Sequence, residues 1–158
     1  MADVLVVYFS RTGNTRKVAL AVAESCAAEI EEIREPGERN GLWGWFRSGR
    51  EAWQRKLAEI EPAEKNPADY GLVIMGTPVW AGTMSSPMRA YLAHYGTRLK
   101  RVALFCTLGG AGADKAMADM AAMCSSTPAA KLAILEAELK SGAYRYKAAA
   151  FGARLGVG

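Results

Sequence analysis

Val4-Leu5-Val6-Val7-Tyr8-Phe9-Ser10-Arg11-Thr12-Gly13-Asn14-Thr15 (VLVVYFSRTGNT) is the stretch that decides the fold. Six apolar or aromatic residues run from Val4 to Phe9 without a polar break. Such a run reads as a strand buried on both faces, the usual state in a parallel sheet. The residues after it are small and hydroxyl-rich, and they end where an apolar helical period begins at Val18, Ala21, Val22 and Cys26. Strand, hydroxyl-lined turn and helix N-terminus together make an anion site. First-turn N–H groups lack intrahelical acceptors, and the positive end of the helix dipole lies there. Three hydroxyls (Ser10, Thr12, Thr15) and the Asn14 amide suit one terminal phosphate. GxxxxGK[ST] is absent, so no lysine is placed to reach a triphosphate. GxGxxG is absent too, which argues against a dinucleotide loop. A plain βα turn with a Thr/Asn helix cap and no ligand is the competing reading.

Outward from this run, apolar stretches and breakers alternate. They predict strands over about 3–9, 28–34, Leu72–Gly76, Val102–Thr107 and Lys131–Leu135. Helices are predicted over about 14–27, Ser86–Tyr95, 112–124 and Ser141–Leu155. Alternation of this kind specifies an α/β doubly wound sheet, and right-handed crossovers leave few topologies. The first, third and fourth strands are the most apolar and belong in the centre. The second is half polar, with Glu29, Glu31 and Glu32.

At 158 residues the chain is most simply one domain, 1–158, large enough to fold without a disulfide or metal. Composition is that of an ordinary globular protein, with 51% hydrophobic and 23% charged residues. No stretch reaches the length of a membrane span, and since Met-Ala-Asp leads straight into the first strand, no signal peptide is expected. Cys26, Cys106 and Cys124 are odd in number and set in apolar contexts, so they read as reduced core thiols. The expectation is a cytoplasmic protein. One histidine, His94, gives no basis for a metal site, and it reads as structural together with Tyr8 and Tyr91.

Two further segments resemble the first loop in position. Gly76-Thr77-Pro78-Val79-Trp80-Ala81-Gly82 leaves the third strand, where Gly76 and Pro78 are expected to break it and set a turn. Thr77 supplies a hydroxyl, Trp80 a rigid π-face, and Gly82 tolerates either sign of φ. Thr107-Leu108-Gly109-Gly110-Ala111-Gly112 leaves the fourth strand, and its glycines let main-chain N–H groups approach a ligand closely.

S-R-T-G-N-T after a buried first strand is similar to the phosphate loop of the flavodoxin family, and the similarity extends over nearly the whole chain. It implies a flavodoxin-like fold, a five-stranded parallel sheet of order 2-1-3-4-5 with helices on both faces, and flavin mononucleotide (FMN) as cofactor. By the same resemblance Ser10, Arg11, Thr12, Gly13, Asn14 and Thr15 surround the phosphate. Thr77, Pro78, Val79, Trp80, Ala81 and Gly82 flank the isoalloxazine, and a peptide near Ala81-Gly82 turns over on reduction. Thr107, Leu108, Gly109, Gly110 and Gly112 meet the polar edge of the ring. The family often has an aromatic in the third loop; this chain has none between Leu108 and Lys115.

The segment 36–67 exceeds what one compact unit needs. Leu42, Phe46, Gly49, Trp53, Leu57 and Ile60 form an apolar stripe at helical spacing. Arg39, Arg47, Arg50, Arg55 and Lys56 face a single acid, Glu51, between residues 39 and 57, and Trp43, Trp45 and Trp53 also lie here. The segment reads as an inserted helical lid, a docking helix or a dimer seam. Net charge is +4 with a pI near 9.0. That balance favours acidic partners or anionic substrates, and with no groove-reading motif it does not indicate nucleic acid. The residues leave three functions open: an electron-transfer protein serving a redox partner or a small donor or acceptor, an FMN-dependent NAD(P)H:quinone-type oxidoreductase, or a flavin-bearing interaction module. No side chain stands out as a general acid or base. A monomer and a homodimer are equally compatible.

Overall fold

A computed structural model of the chain describes residues 3–36 and 59–157. The stripe and basic cluster expected within 36–67 fall largely on residues 37–58, outside the described residues. The described elements are β1 (Val4–Tyr8), α1 (Asn14–Cys26), β2 (Glu29–Glu32), β3 (Leu72–Trp80), β4 (Thr83–Met84), α2 (Ser86–Tyr95), β5 (Arg101–Leu108), α3 (Ala113–Ala122), β6 (Lys131–Leu135), α4 (Glu136–Ser141) and α5 (Ala143–Leu155). Two single 3-10 turns, Pro67–Asp69 and Gly96–Arg98, lead into β3 and β5.

The sheet runs β2-β1-β3-β5-β6, with every one of these neighbours parallel. This is the expected 2-1-3-4-5 path. The added strand, β4, is a two-residue antiparallel partner at the end of β3. β1 carries side chains into two cores because successive Cβ atoms point to opposite faces. Val4, Val6 and Tyr8 pack with α1 and α5, alongside Ile74 and Phe105. Leu5, Val7 and Phe9 pack with α2 and α3, alongside Met75 and Leu104. Burial on both faces is therefore what made the first run uninterruptedly apolar. β2, at the sheet edge, is only half-buried along its whole length, which explains its glutamates.

One expectation needs correction. β3 does not break at Gly76 or Pro78; it continues to Trp80. Gly76 sits opposite Phe105, and a Cβ there would lie 2.0 Å from the ring, so the glycine makes room for Phe105 rather than ending the strand. Trp80 pairs with Thr83, so Ala81 and Gly82 form a two-residue hairpin turn. Both have positive φ, 50° and 76°, as a type I′ turn demands. The last helix keeps its expected place as α5, and a short helix the sequence did not indicate, α4, precedes it, the two separated by Gly142 at φ 87°.

Candidate functional site

Parallel pairing brings three strand ends to one level. Tyr8 lies beside Gly76 and Gly76 beside Phe105, while the Phe9 N–H donates to the Gly76 carbonyl at 3.1 Å. The segments following β1, β3 and β5 therefore emerge side by side at the carboxyl edge, the usual ligand position in an open α/β sheet.

In the first segment, Gly13 has φ 98° and opens α1. A Cβ on it would meet nothing within 4 Å. Ser10 Oγ accepts from the Gly13 N–H at 3.1 Å and the Arg16 N–H at 3.2 Å. Its own proton stays available to donate to an anion. Thr12 is exposed and Asn14 half-buried, and the first-turn N–H groups of Asn14 and Thr15 lack intrahelical acceptors. These donors, with the positive helix end, fit a phosphate.

Not every hydroxyl read from the sequence faces that space. Thr15 and Thr107 are both buried and hydrogen-bonded to each other at 2.8 Å, which ties the first segment to the third. Thr77 is fully buried; its hydroxyl accepts from the Ser85 N–H at 2.9 Å and donates to Ser85 Oγ at 3.0 Å. It thus anchors the N-terminus of α2, where Ser85 Oγ in turn accepts from the Met88 N–H. These threonines build the wall. A hydroxyl at the end of a strand buried on both faces requires a buried partner, and that requirement is the sequence signal for this role.

The second segment places Trp80, half-buried, at the base of the hairpin. Phe9 meets it edge-on, with centroids 5.4 Å apart and planes at 86°. The Arg11 guanidinium lies over its ring, 4.9 Å from the centroid, and pairs with Glu35 at 3.5 Å. Glu35 was not among the residues singled out by sequence, and Phe9 was read there only as part of the first strand. Glu35 follows the edge strand, and only tertiary structure brings it to Arg11.

The third segment reaches Gly112, whose φ of 105° opens α3 as Gly13 opens α1. A Cβ on Gly112 would lie 3.1 Å from Val79 Cγ1 and 3.2 Å from Gly82 Cα, so the second and third segments touch. Gly109, Gly110 and Ala111 are exposed, and a Cβ on Gly110 would meet nothing within 4 Å. Leu108 is buried beneath them. Below the hairpin, Thr83 donates to Asp119 at 2.6 Å, Lys115 pairs with the same carboxylate at 2.6 Å, and Arg89 donates to Thr83 at 3.1 Å. Although burial opposes it, the contacts of Lys115 and Thr83 hold the Asp119 carboxyl below its ordinary value.

Other groups stand apart. Burial pushes the Cys106 thiol up to about 12, and the Tyr91 phenol is also raised by burial. Cys26, Cys106 and Cys124 are all free thiols. His94 is exposed near the end of α2. Among the described residues no group of His, Cys, Asp or Glu is arranged to hold a metal ion, and no helix is long and apolar enough to cross a membrane.

Known proteins show the same framework. The chain is similar to an NAD(P)H dehydrogenase (quinone) from Archaeoglobus fulgidus, 33% identical over 102 residues that cover 58% of this chain and 50% of that one. A protein of the same name from Nitrobacter winogradskyi is 31% identical over 122 residues, covering 73% of this chain and 58% of the relative. The chain thus spans about half the length of the curated relatives it matches. The fold is that of a Lactobacillus acidophilus flavoprotein crystallised with FMN, with a TM-score of 0.69 at 20% identity over 89% of this chain and 98% of that one. A family model described as flavodoxin matches residues 3–143, from the first strand into the last helix. By that match, and by the strand order beneath it, the chain belongs to the flavodoxin family.

Proposed function

We propose that the three segments bind FMN and that the protein acts in electron transfer. The observation that carries this reading is their mutual contact at one sheet edge. Thr15–Thr107 joins the first to the third, Phe9 and Arg11 join the first to the second at Trp80, and Val79–Gly112 joins the second to the third. Ser10, Thr12, Gly13 and Asn14 hold the phosphate, with Thr15 fixing the helix end beneath it. Pro78, Val79, Trp80, Ala81 and Gly82 flank the ring, and Leu108, Gly109, Gly110 and Gly112 meet its polar edge. Thr107 ties the third segment to the first, and Thr77 fixes the start of α2 behind the second. Bound FMN supplies the redox chemistry, while the chain supplies position, access and charge.

The printed names of the two curated relatives favour a second reading, an FMN-dependent NAD(P)H:quinone-type oxidoreductase. Either reading takes a redox partner protein or a small electron donor or acceptor, and the net charge of +4 suits an acidic one. The test is anaerobic mixing of the FMN-loaded protein with NADH or NADPH. Rapid bleaching of the flavin absorbance establishes the oxidoreductase. Reduction by dithionite but not by nicotinamide establishes a carrier. Absence of FMN uptake refutes both.

A further inference from the structure

The structure assigns Arg11 a role that the phosphate-loop pattern does not give it. We propose that its guanidinium makes the site favour the flavin form whose ring carries a negative charge, a proposal that rests on the FMN reading above. Arg11 follows the hydroxyl that caps α1, yet its guanidinium is laid over Trp80, 4.9 Å from the ring centroid. Its side chain is only 20% exposed, and that of its partner Glu35, at 3.5 Å, only 13%.

Trp80 is the aromatic against which the isoalloxazine packs in this reading. The guanidinium and the flavin ring therefore share one neighbour. Packed aromatic rings sit with centroids about 4.5–7 Å apart. By the triangle rule the cation then lies within about 12 Å of the flavin ring. Low exposure limits solvent screening over that span. Glu35 opposes the field, but the guanidinium is the member of the pair that rests on Trp80, the ring the flavin shares. The nearer charge sets the sign. Arginine remains protonated at every working pH, so the effect is a fixed positive charge. Arg16 contributes less, because its guanidinium bonds Tyr8 and Glu32 rather than lying on Trp80, and its side chain is 49% exposed to screening solvent.

Two electrons and one proton convert the neutral oxidised ring to the singly charged reduced anion. A tenfold change in the preference of the site for reduced over oxidised FMN appears as about 30 mV in the two-electron midpoint potential. Potential is measured by dithionite titration against a reference dye, and the affinity for oxidised FMN by fluorescence. Arg11→Gln is expected to lower the preference roughly three- to tenfold. Glu35→Gln is expected to raise it, because the opposing charge goes. Arg11→Lys keeps the sign and is expected to hold most of the wild-type potential. Equal changes in affinity for both redox forms, leaving the potential fixed in Arg11→Gln, overturn the proposal and make Arg11 a cover for Trp80. Should Arg11→Gln fail to fold, an unchanged or lowered potential in Glu35→Gln overturns it equally. Wild-type protein that takes up neither form of FMN removes the cofactor reading itself, and this proposal with it.

Discussion

Single atoms decide much of this site. Ser10 Oγ is the clearest case, since it accepts from two main-chain N–H groups at the mouth of α1 and keeps one proton for a ligand. Ser10→Ala leaves those N–H groups to water and removes that donor. The helix cap is expected to lose about 1 kcal/mol of stability. FMN affinity is expected to fall about tenfold or more, as for a lost hydrogen bond to a charged group. Fluorescence titration reads the affinity, and an unchanged dissociation constant sinks the assignment of Ser10 to the phosphate. Gly76 decides packing instead. A Cβ there would stand 2.0 Å from Phe105 Cζ, in a core where Phe105 is fully buried. Gly76→Ala is expected to cost about 1–3 kcal/mol or more by overpacking. Adding Phe105→Leu should return part of the loss, measured as the urea midpoint. No recovery in the double variant refutes a steric cause.

At the scale of elements, the sequence showed where strands and helices lie better than where they stop. β1, α2 and β6 fall where their apolar periods put them, because both faces or one clear stripe are buried. The end of β3 lies beyond its turn-like residues for a physical reason. Gly76 and Pro78 are turn residues by composition, but here glycine admits a neighbouring ring, and the hydrogen-bonded ladder continues past both. The hairpin that follows depends on two positive-φ residues, of which only Gly82 is legible; Ala81 reaches φ 50° without sequence warning. The α1–α5 contact was equally hidden. At Gly152 a Cβ would lie 2.3 Å from Ser25 Oγ and 3.3 Å from Cys26 Sγ, so α5 sits close on α1 at that point. Gly152→Ala gains helix propensity of about 1 kcal/mol but must displace Ser25, whose hydroxyl is bonded to the Val22 carbonyl at 2.8 Å. Net destabilisation is expected, of about 1–2 kcal/mol. Ser25→Ala in the same chain should turn it towards neutral or stabilising. A stabilised single variant in a thermal melt rules out this close approach.

For the molecule as a whole, topology was legible because the three most apolar strands had to be central and the glutamate-bearing β2 had to lie at an edge. The position of the candidate site was legible for the same reason, since three hydroxyl- or glycine-rich segments each follow a central strand. The division of labour within it was not. Thr15, Thr77 and Thr107 look like ligand donors in one dimension; in three, Thr15 and Thr107 are buried and bonded to each other, and Thr77 is buried and bonded to Ser85 at the start of α2. Central strands buried on both faces also set how the whole fold answers to alkali. Cys106 lies on β5 with no solvent exposure, and burial, followed by the charge of Asp114, raises its thiol from 9.0 to about 12. The folded state therefore keeps its proton where the unfolded chain has already lost it. Stability is intact below pH 9 and declines from there towards pH 12 as the unfolded chain ionises. One such group removes about 1 kcal/mol between pH 9 and 10. Tyr70, raised to about 12 from 10.0 by its bond to Glu29, contributes only above pH 10. Cys124 shifts in the same direction as Cys106, so the variant and not the slope alone makes the assignment. Cys106→Ala is expected to cost stability at neutral pH through its cavity, and to flatten the fall between pH 9 and 10 in urea titrations. An unaltered pH slope in that variant means that the thiol of Cys106 is not what the fold protects.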